Sequence, residues 1–239
     1  MQTIIEGLKQ AIVLILALDP ELIQITLLSL RVSLTALMIA GILGIPFGSV
    51  LALKEFPGRR GVLNIIYTLM GLPPVLAGLL VYLLLTSQGP FGQYQLLFTP
   101  TAMTIAQIVL AFPIVTGLTV RSVQSQRQEV YDTAVTLGAS RRQAAWAIIK
   151  ESRIGIIGAL TTALGRVIAE VGAVMMVGGN IQGFTRVMTT SIVLETRMGN
   201  DARAIAIGLI LLVIAFLLIM IINLIEKRSF QYATSIQIT

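Results

Sequence analysis

The sequence predicts an all-α integral membrane protein, and three observations carry that reading. Hydrophobic residues make up 56% of the chain and charged residues 12%, with a mean hydropathy of +0.90; a soluble domain carries about 25% charged residues. Charge is also segregated: no Asp, Glu, Lys or Arg occurs from Val32 to Leu53, from Gly61 to Val120, or from Ala204 to Ile225. A helix crosses the hydrocarbon core in about 20 residues, so the first and last runs are single spans and the middle one suits a helical hairpin. Finally, the cations cluster between these runs, as loops on the cytoplasmic side require. About five spans follow, with no room for a second soluble domain.

Taken in order, Thr3 to Leu18 is apolar but short, and Asp19-Pro20-Glu21 stops it. Residues 1–21 are expected to form an interfacial helix, with a short true span as the alternative. The opening MQTIIEGLKQ carries Glu6 and Lys9 and lacks a basic leader, so no cleavable signal peptide is expected. The first span begins near Ile23 and ends by Leu53. Arg31 lies toward its outer end, where snorkelling or pairing competes with a substrate role. Gly41, Gly44, Pro46 and Gly48 permit close helix approach and a kink. Lys54 to Arg60 is a tight basic turn. Within the hairpin, Ser87 to Gln95 has turn chemistry, and Pro73-Pro74 must bend or break the second span because neither ring donates to the helix ladder. A broken helix at membrane depth faces protein or a cavity, so pathway lining and a structural kink both remain open there. Pro113 is expected to bend the third span.

Glu129 to Arg153 is a polar, basic island in an apolar chain. It reads as two short helices with a hinge. Val130 to Leu137 has helical spacing, Gly138 can take the left-handed conformation that ends a helix, and Ser140 with Gln143 fits a capping box. Ala144, Ala145, Trp146, Ala147, Ile148 and Ile149 then run back toward the membrane. A helix–turn–helix beneath a membrane domain suits another protein's grip. The fourth span, Ile154 to Val177, holds charge in its middle. Arg166 and Glu170 are i and i+4, so they share a helix face. They form either an ion pair that fixes helix packing or a dimer contact, or part of a gate. Gly178-Gly179-Asn180 ends this span, Ile181 to Arg203 is an amphipathic outer segment, and Glu226-Lys227-Arg228 closes the last span. Residues 229–239 are expected to be a loosely ordered polar tail.

Lys54, Arg59, Arg60, Arg121, Arg127, Arg141, Arg142, Lys150, Arg153, Lys227 and Arg228 fall on one side of this layout. Only Lys9, Arg186, Arg197 and Arg203 fall on the other. The N-terminus is therefore expected outside and the C-terminus in the cytoplasm. The net charge of +6 belongs to these loops, and no nucleic-acid partner is expected. Cysteine and histidine are both absent, which argues against zinc, haem or iron–sulfur sites. No Gly-x-x-x-x-Gly-Lys-Ser/Thr loop and no paired-carboxylate, His-based or Cys-based catalytic set occurs. No catalytic, metal or cofactor site is expected on this chain.

Two stretches carry a resemblance. Asp132-Thr133-Ala134, Gly138 and Ile148 resemble the cytoplasmic "EAA" loop of bacterial ABC-importer permeases, with Asp for its Glu, Thr for its first Ala, and Lys150-Glu151 where Leu-Pro stands. Glu170-Val171-Gly172-Ala173-Val174 is similar to the Glu-x-Gly-Ala-Val core of molybdate/tungstate-type permeases. The similarity continues through Gly183 to Arg186 and Thr189 to Arg197 toward the tungstate-specific branch, and Phe56 to Arg60 and Gly71 to Val75 join it. It covers nearly the whole chain from residue 20. The resemblance implies a type I ABC-importer permease fold over residues 22–228, with a coupling loop at 122–153. It implies a homodimer in the cell inner membrane of a bacterium or archaeon, two cytoplasmic ATPase subunits that hold ATP and Mg, and an extracytoplasmic oxyanion-binding protein. Tyr131, Asp132, Thr133, Ala134, Leu137, Gly138, Ala139 and Ser140 would couple to the ATPase. Arg166, Glu170, Gly172, Thr189 and Thr190 are the candidates for the pathway or gate. The expected cargo is tungstate, with molybdate or another anion as the alternative. A stand-alone secondary transporter and a non-transporting membrane scaffold are the rivals of another class.

Overall fold

A computed structural model describes residues 2–17 and 19–236. The described chain is helical, in the order α1 (Gln2–Leu16), α2 (Pro20–Leu53), α3 (Arg59–Met70), α4 (Pro74–Leu85), a short 3-10 turn (Gly92–Tyr94), α5 (Pro100–Thr136), α6 (Arg141–Glu151), α7 (Arg153–Ile168), α8 (Gly172–Gly178), α9 (Met188–Arg197) and α10 (Asp201–Ile236). Three helices, Pro20–Leu53, Pro100–Thr136 and Asp201–Ile222, are each long and apolar enough to cross a membrane. Two bent pairs, α3 with α4 and α7 with α8, meet the same test together, which brings the number to five when each pair counts once.

The prolines that look like breaks in the sequence also start helices. Asp19 Oδ1 accepts from Leu22 N at 2.8 Å and so caps α2, with Pro20 as its first residue. Pro73 precedes α4 in extended conformation, and Pro74 opens it. Thr99 Oγ1 accepts from Ala102 N at 3.3 Å ahead of Pro100. Pro46 and Pro113, in contrast, lie inside uninterrupted helices.

Several boundaries differ from the sequence reading. Val130 to Leu137 is not a separate helix: α5 runs without interruption to Thr136, because nothing between Leu118 and Leu137 is a Gly or Pro. The fourth span is not one helix; α7 stops at Ile168 and α8 starts at Gly172. The helix at the N-terminus ends at Leu16, and Leu18 lies outside the described residues. α10 continues to Ile236, and the rest of the expected tail, 237–239, also lies outside them.

The chain divides into two compact units. The first comprises 1–36, 73–109 and 165–218. One part of its core joins Ala11, Leu22, Ile25, Met188, Ala206, Ile207 and Ile210 from α1, α2, α9 and α10. α1 lies directly on α10: a Cβ on Gly7 would fall 2.8 Å from Ile205 Cβ. Beside Gly78, α4 approaches α8 to the same degree, with Ala173 Cα 2.7 Å from where a Cβ would stand. Small residues that let backbones approach are the usual device of helix packing in lipid.

The second unit comprises 37–72, 110–164 and 219–239. Leu51, Ala52, Leu63, Ile66, Val120, Val123, Ile148 and Ile156 form its core, drawn from α2, α3, α5, α6 and α7. Here the basic turn after α2 has a structural use. Arg59 Nε donates to Leu51 O at 2.7 Å and Arg127 Nη1 to Ala52 O at 3.4 Å. Cations thus satisfy the last carbonyls of α2, where the helix dipole favours them.

Candidate functional site

Two places gather the residues singled out in the sequence, one in each unit. In the second unit, α5 ends in a turn with both hydrogen bonds of the Schellman motif. Gly138 N donates to Val135 O and Ala139 N to Ala134 O, each at 2.9 Å. Gly138 has φ +82°, the left-handed conformation the sequence called for. The capping box of α6 is also formed: Gln143 N donates to Ser140 Oγ at 3.4 Å, and Ser140 N to Gln143 Oε1 at 2.8 Å.

α6 then returns to α5. Ala144 and Ile148 are buried on its inner face, and its far end is stitched by two serines. Ser122 Oγ donates to Ser152 O at 3.0 Å, and Ser152 Oγ donates back to Ser122 O at 3.4 Å. The tip is therefore closed at both ends onto a long helix, an arrangement able to carry a push. Tyr131, Asp132, Thr133, Leu137, Gly138 and Ser140 are all exposed on it, while Ala134 and Ala139 are half-buried. Leu137 at 82% and Trp146 at 68% exposure give the tip an apolar surface left uncovered by the described residues.

In the first unit, buried polar side chains help to hold the break between α7 and α8, beside a backbone bond from Glu170 N to Val167 O at 3.4 Å. Val167 O accepts from Gln107 Nε2 at 3.0 Å and from Ser33 Oγ at 3.5 Å. Glu170 O accepts from Thr189 Oγ1 at 2.8 Å. The Glu170 carboxylate turns forward instead of back along α7: its Oε1 accepts from Ala173 N at 3.0 Å, at the start of α8. A carboxylate beside the first backbone N–H groups of a helix is favourable. The shared helix face expected for Arg166 and Glu170 is lost with the break, and Arg166 is exposed where Glu170 is only 5% exposed. Gly172 opens α8 against Val75, whose Cγ2 is 2.9 Å from where a Cβ would stand. Glu170, Gly172 and Thr189 are thus gathered at one point. Thr190 is not part of it, since its Oγ1 accepts from Val187 N at 3.1 Å and closes the start of α9.

An ionic cluster lies elsewhere in this unit. Glu21 holds Arg186 at 3.2 Å and Arg203 at 2.8 Å, and Arg203 also reaches Glu195 at 3.4 Å. These bonds tie the start of α2 to the segment before α9 and to the start of α10.

Sequence reasoning missed Gln107 and Ser33. A carboxamide in the middle of a charge-free span was the available signal for Gln107. Ser33 had none, because a lone serine in a membrane helix most often bonds its own helix. Among the described residues, no three Asp, Glu, His or Cys side chains are placed to hold a metal ion. Neither place joins a nucleophile to a base. Their geometry serves a helix break in one place and an exposed tip in the other.

Comparison with known proteins fits that geometry. Residues 44–231 match the family described as binding-protein-dependent transport system inner membrane component. The chain belongs to this family. As a transport-system membrane component, it is a permease and not an enzyme. The tungstate uptake system permease protein TupB of Peptoclostridium acidaminophilum is 43% identical, over 90% of this chain and 95% of its own. A probable anion ABC transporter permease protein of Haloferax volcanii is 42% identical, over 80% and 84%. Among solved structures, a bacterial alginate ABC transporter in complex with an alginate-pentasaccharide-bound periplasmic protein superposes with a TM-score of 0.60. It shares 19% identity and covers 87% of this chain and 78% of its own. That last likeness shows the fold alone: a type I ABC-importer permease.

Proposed function

We propose that this permease forms the pathway of an ATP-driven importer of tungstate. It acts as a homodimer with two cytoplasmic ATPase subunits and an extracytoplasmic binding protein, with its N-terminus outside and its C-terminus inside. The observation that carries the cargo is the 43% identity, over nearly the full length of both chains, to a permease named for tungstate uptake. The tip from Tyr131 to Ser140, with α6 behind it, supports the coupling role, because it is exposed, apolar at Leu137 and Trp146, and tied to α5 at the turn and at Ser152. ATP-driven closure of the ATPase pair would pull two such tips together, and α5 would carry the motion into the membrane. The alginate transporter, crystallised with its periplasmic protein, supports a delivery partner of that kind.

At the α7–α8 break, Glu170 faces α8, not a cavity of its own, so an anion would meet hydroxyls and backbone N–H groups rather than a strong cation site. Weak contacts suit a conduit, since a pathway that binds too well does not release. Co-purification with the cognate ATPase, followed by reconstitution with the binding protein, tests the proposal. Vanadate-sensitive uptake of tungstate in preference to molybdate is expected. A stable complex that ignores tungstate and carries another oxyanion would overturn the cargo. Uptake by the purified chain without ATP would overturn the machine. The second reading, the same machine for another anion, is favoured by the Haloferax volcanii relative, described only as an anion permease.

A further inference from the structure

A cleft of about 1030 Å³ opens in the second unit among the end of α2, the last turns of α5, and α6. One wall is apolar, with Val50, Leu53, Ile148 and Ile149. The rest is charged: Lys54, Arg127, Arg141 and Arg142 line it together with Glu55 and Asp132, so cations exceed acids. Arg127 spends its charge on Glu55, at 3.5 Å. Lys54, Arg141 and Arg142 have no salt-bridge partner among the described residues.

Two of these cations stand where the chain's own electrostatics oppose them. Arg141 and Arg142 are the first two residues of α6, whose first turn holds no acidic residue. The N-terminal end of a helix carries partial positive charge and favours anions. The capping box occupies two of the N-terminal polar groups and adds no charge. A second, independent feature is Ser49, which also lines the cleft. It is only 5% exposed, and its Oγ is buried with no hydrogen-bond partner among the described residues. A buried hydroxyl without a partner costs free energy that a ligand oxygen would recover.

Basic groups, a helix N-terminus and a spare hydroxyl call for a phosphate-type oxyanion. The apolar wall, and a volume far above that of one free oxyanion, select the form carried on a hydrocarbon chain. We propose that this cleft seats the phosphate of an anionic phospholipid, with an acyl chain along Val50, Leu53 and Ile149. Val50 is 45% exposed, so the apolar wall is open along α2. A lipid held there would brace α6 against α2 from the membrane side and leave Leu137 and Trp146 outward. The proposal is independent of the cargo.

The test uses the full-length chain, exchanged from neutral detergent into phosphatidylcholine nanodiscs with a minor share of phosphatidylglycerol. Phosphatidylglycerol retained after delipidation is counted by native mass spectrometry. The wild type is expected to keep it selectively. The double variant R141Q/R142Q should lose about tenfold in retention, as the removal of charged hydrogen bonds implies. Ser49→Ala should weaken retention several-fold without touching any charge, and Lys9→Gln, outside the cleft, should leave it unchanged. Equal retention by the wild type and both cleft variants would overturn the proposal. So would displacement of the lipid by inorganic phosphate or tungstate, because the site would then hold a free oxyanion.

Discussion

Gly138 offers the cleanest perturbation of the exposed tip and of the coupling role proposed for it, because strain and crowding separate there. Its φ of +82° lies in the left-handed region, and a Cβ built on it would meet nothing within 4 Å. Replacement therefore costs backbone strain and no packing. An L-residue in that conformation pays about 1–2 kcal/mol, with Asn at the low end and a β-branched residue at the top or beyond. A cost of about 1.4 kcal/mol is a factor of ten in an equilibrium. Val at this position should thus depopulate the closed turn by about tenfold or more, Ala by somewhat less, and Asn by only a few-fold. The turn can relieve the strain by releasing two bonds, Gly138 N to Val135 O and Ala139 N to Ala134 O. That release swings α6 out of register with α5. The core beneath, around Ile148 and Val123, is untouched, so the thermal stability of the chain should barely move. Pull-down of the ATPase and binding-protein-stimulated ATP hydrolysis in proteoliposomes should fall in the order Gly, Asn, Ala, Val. Wild-type association and uptake in Gly138→Val would refute the coupling role of the turn. An equal loss for Asn and Val would refute the argument from φ.

Two further substitutions probe the first unit. Gly78→Val places a Cβ 2.7 Å from Ala173 Cα, a backbone atom that no rotamer change can move. It should destabilise the α4–α8 contact by about 1–3 kcal/mol, read as a lower melting temperature in detergent; Gly71→Ala, with its nearest atom at 3.6 Å, should not, and identical melting of the two would refute the close approach. Thr189→Val removes the Thr189 Oγ1 donor to Glu170 O and should cost about 1–3 kcal/mol for a buried acceptor left bare. Thr189→Ser should retain most of the stability, and if Ser and Val melt alike the bond does not hold the break.

What the sequence revealed and what it hid differ in range. The end of α5 and the start of α6 were legible because their signals are local: a glycine for φ > 0, and Ser140 three residues before Gln143. The Pro73-Pro74 break was legible for the same reason. The continuity of α5 was not, because the change from apolar to polar residues near Arg121 marks where the helix leaves oil, not where it ends. The α7–α8 break was hidden more deeply. No proline announces it, and the residues that make it tolerable, Ser33, Gln107 and Thr189, come from three other helices. In the linear sequence, Arg166 and Glu170 therefore looked like neighbours on one helix. The two arginines at the start of α6 were legible as well, because Ser140 was expected to cap that helix; the cleft they line was not, since its other residues come from the end of α2 and from α5.

Trp146 carries a practical consequence. It is the single tryptophan of the chain, it sits on α6, and 68% of it faces outward. Indole emission moves to the blue when water leaves the ring. A protein that settles over α6 must strip that water away, so the subunit contains its own optical gauge of engagement at the tip. Its emission will report coverage in real time, without a dye, and in a chain whose lack of cysteine leaves every thiol label free to be placed elsewhere.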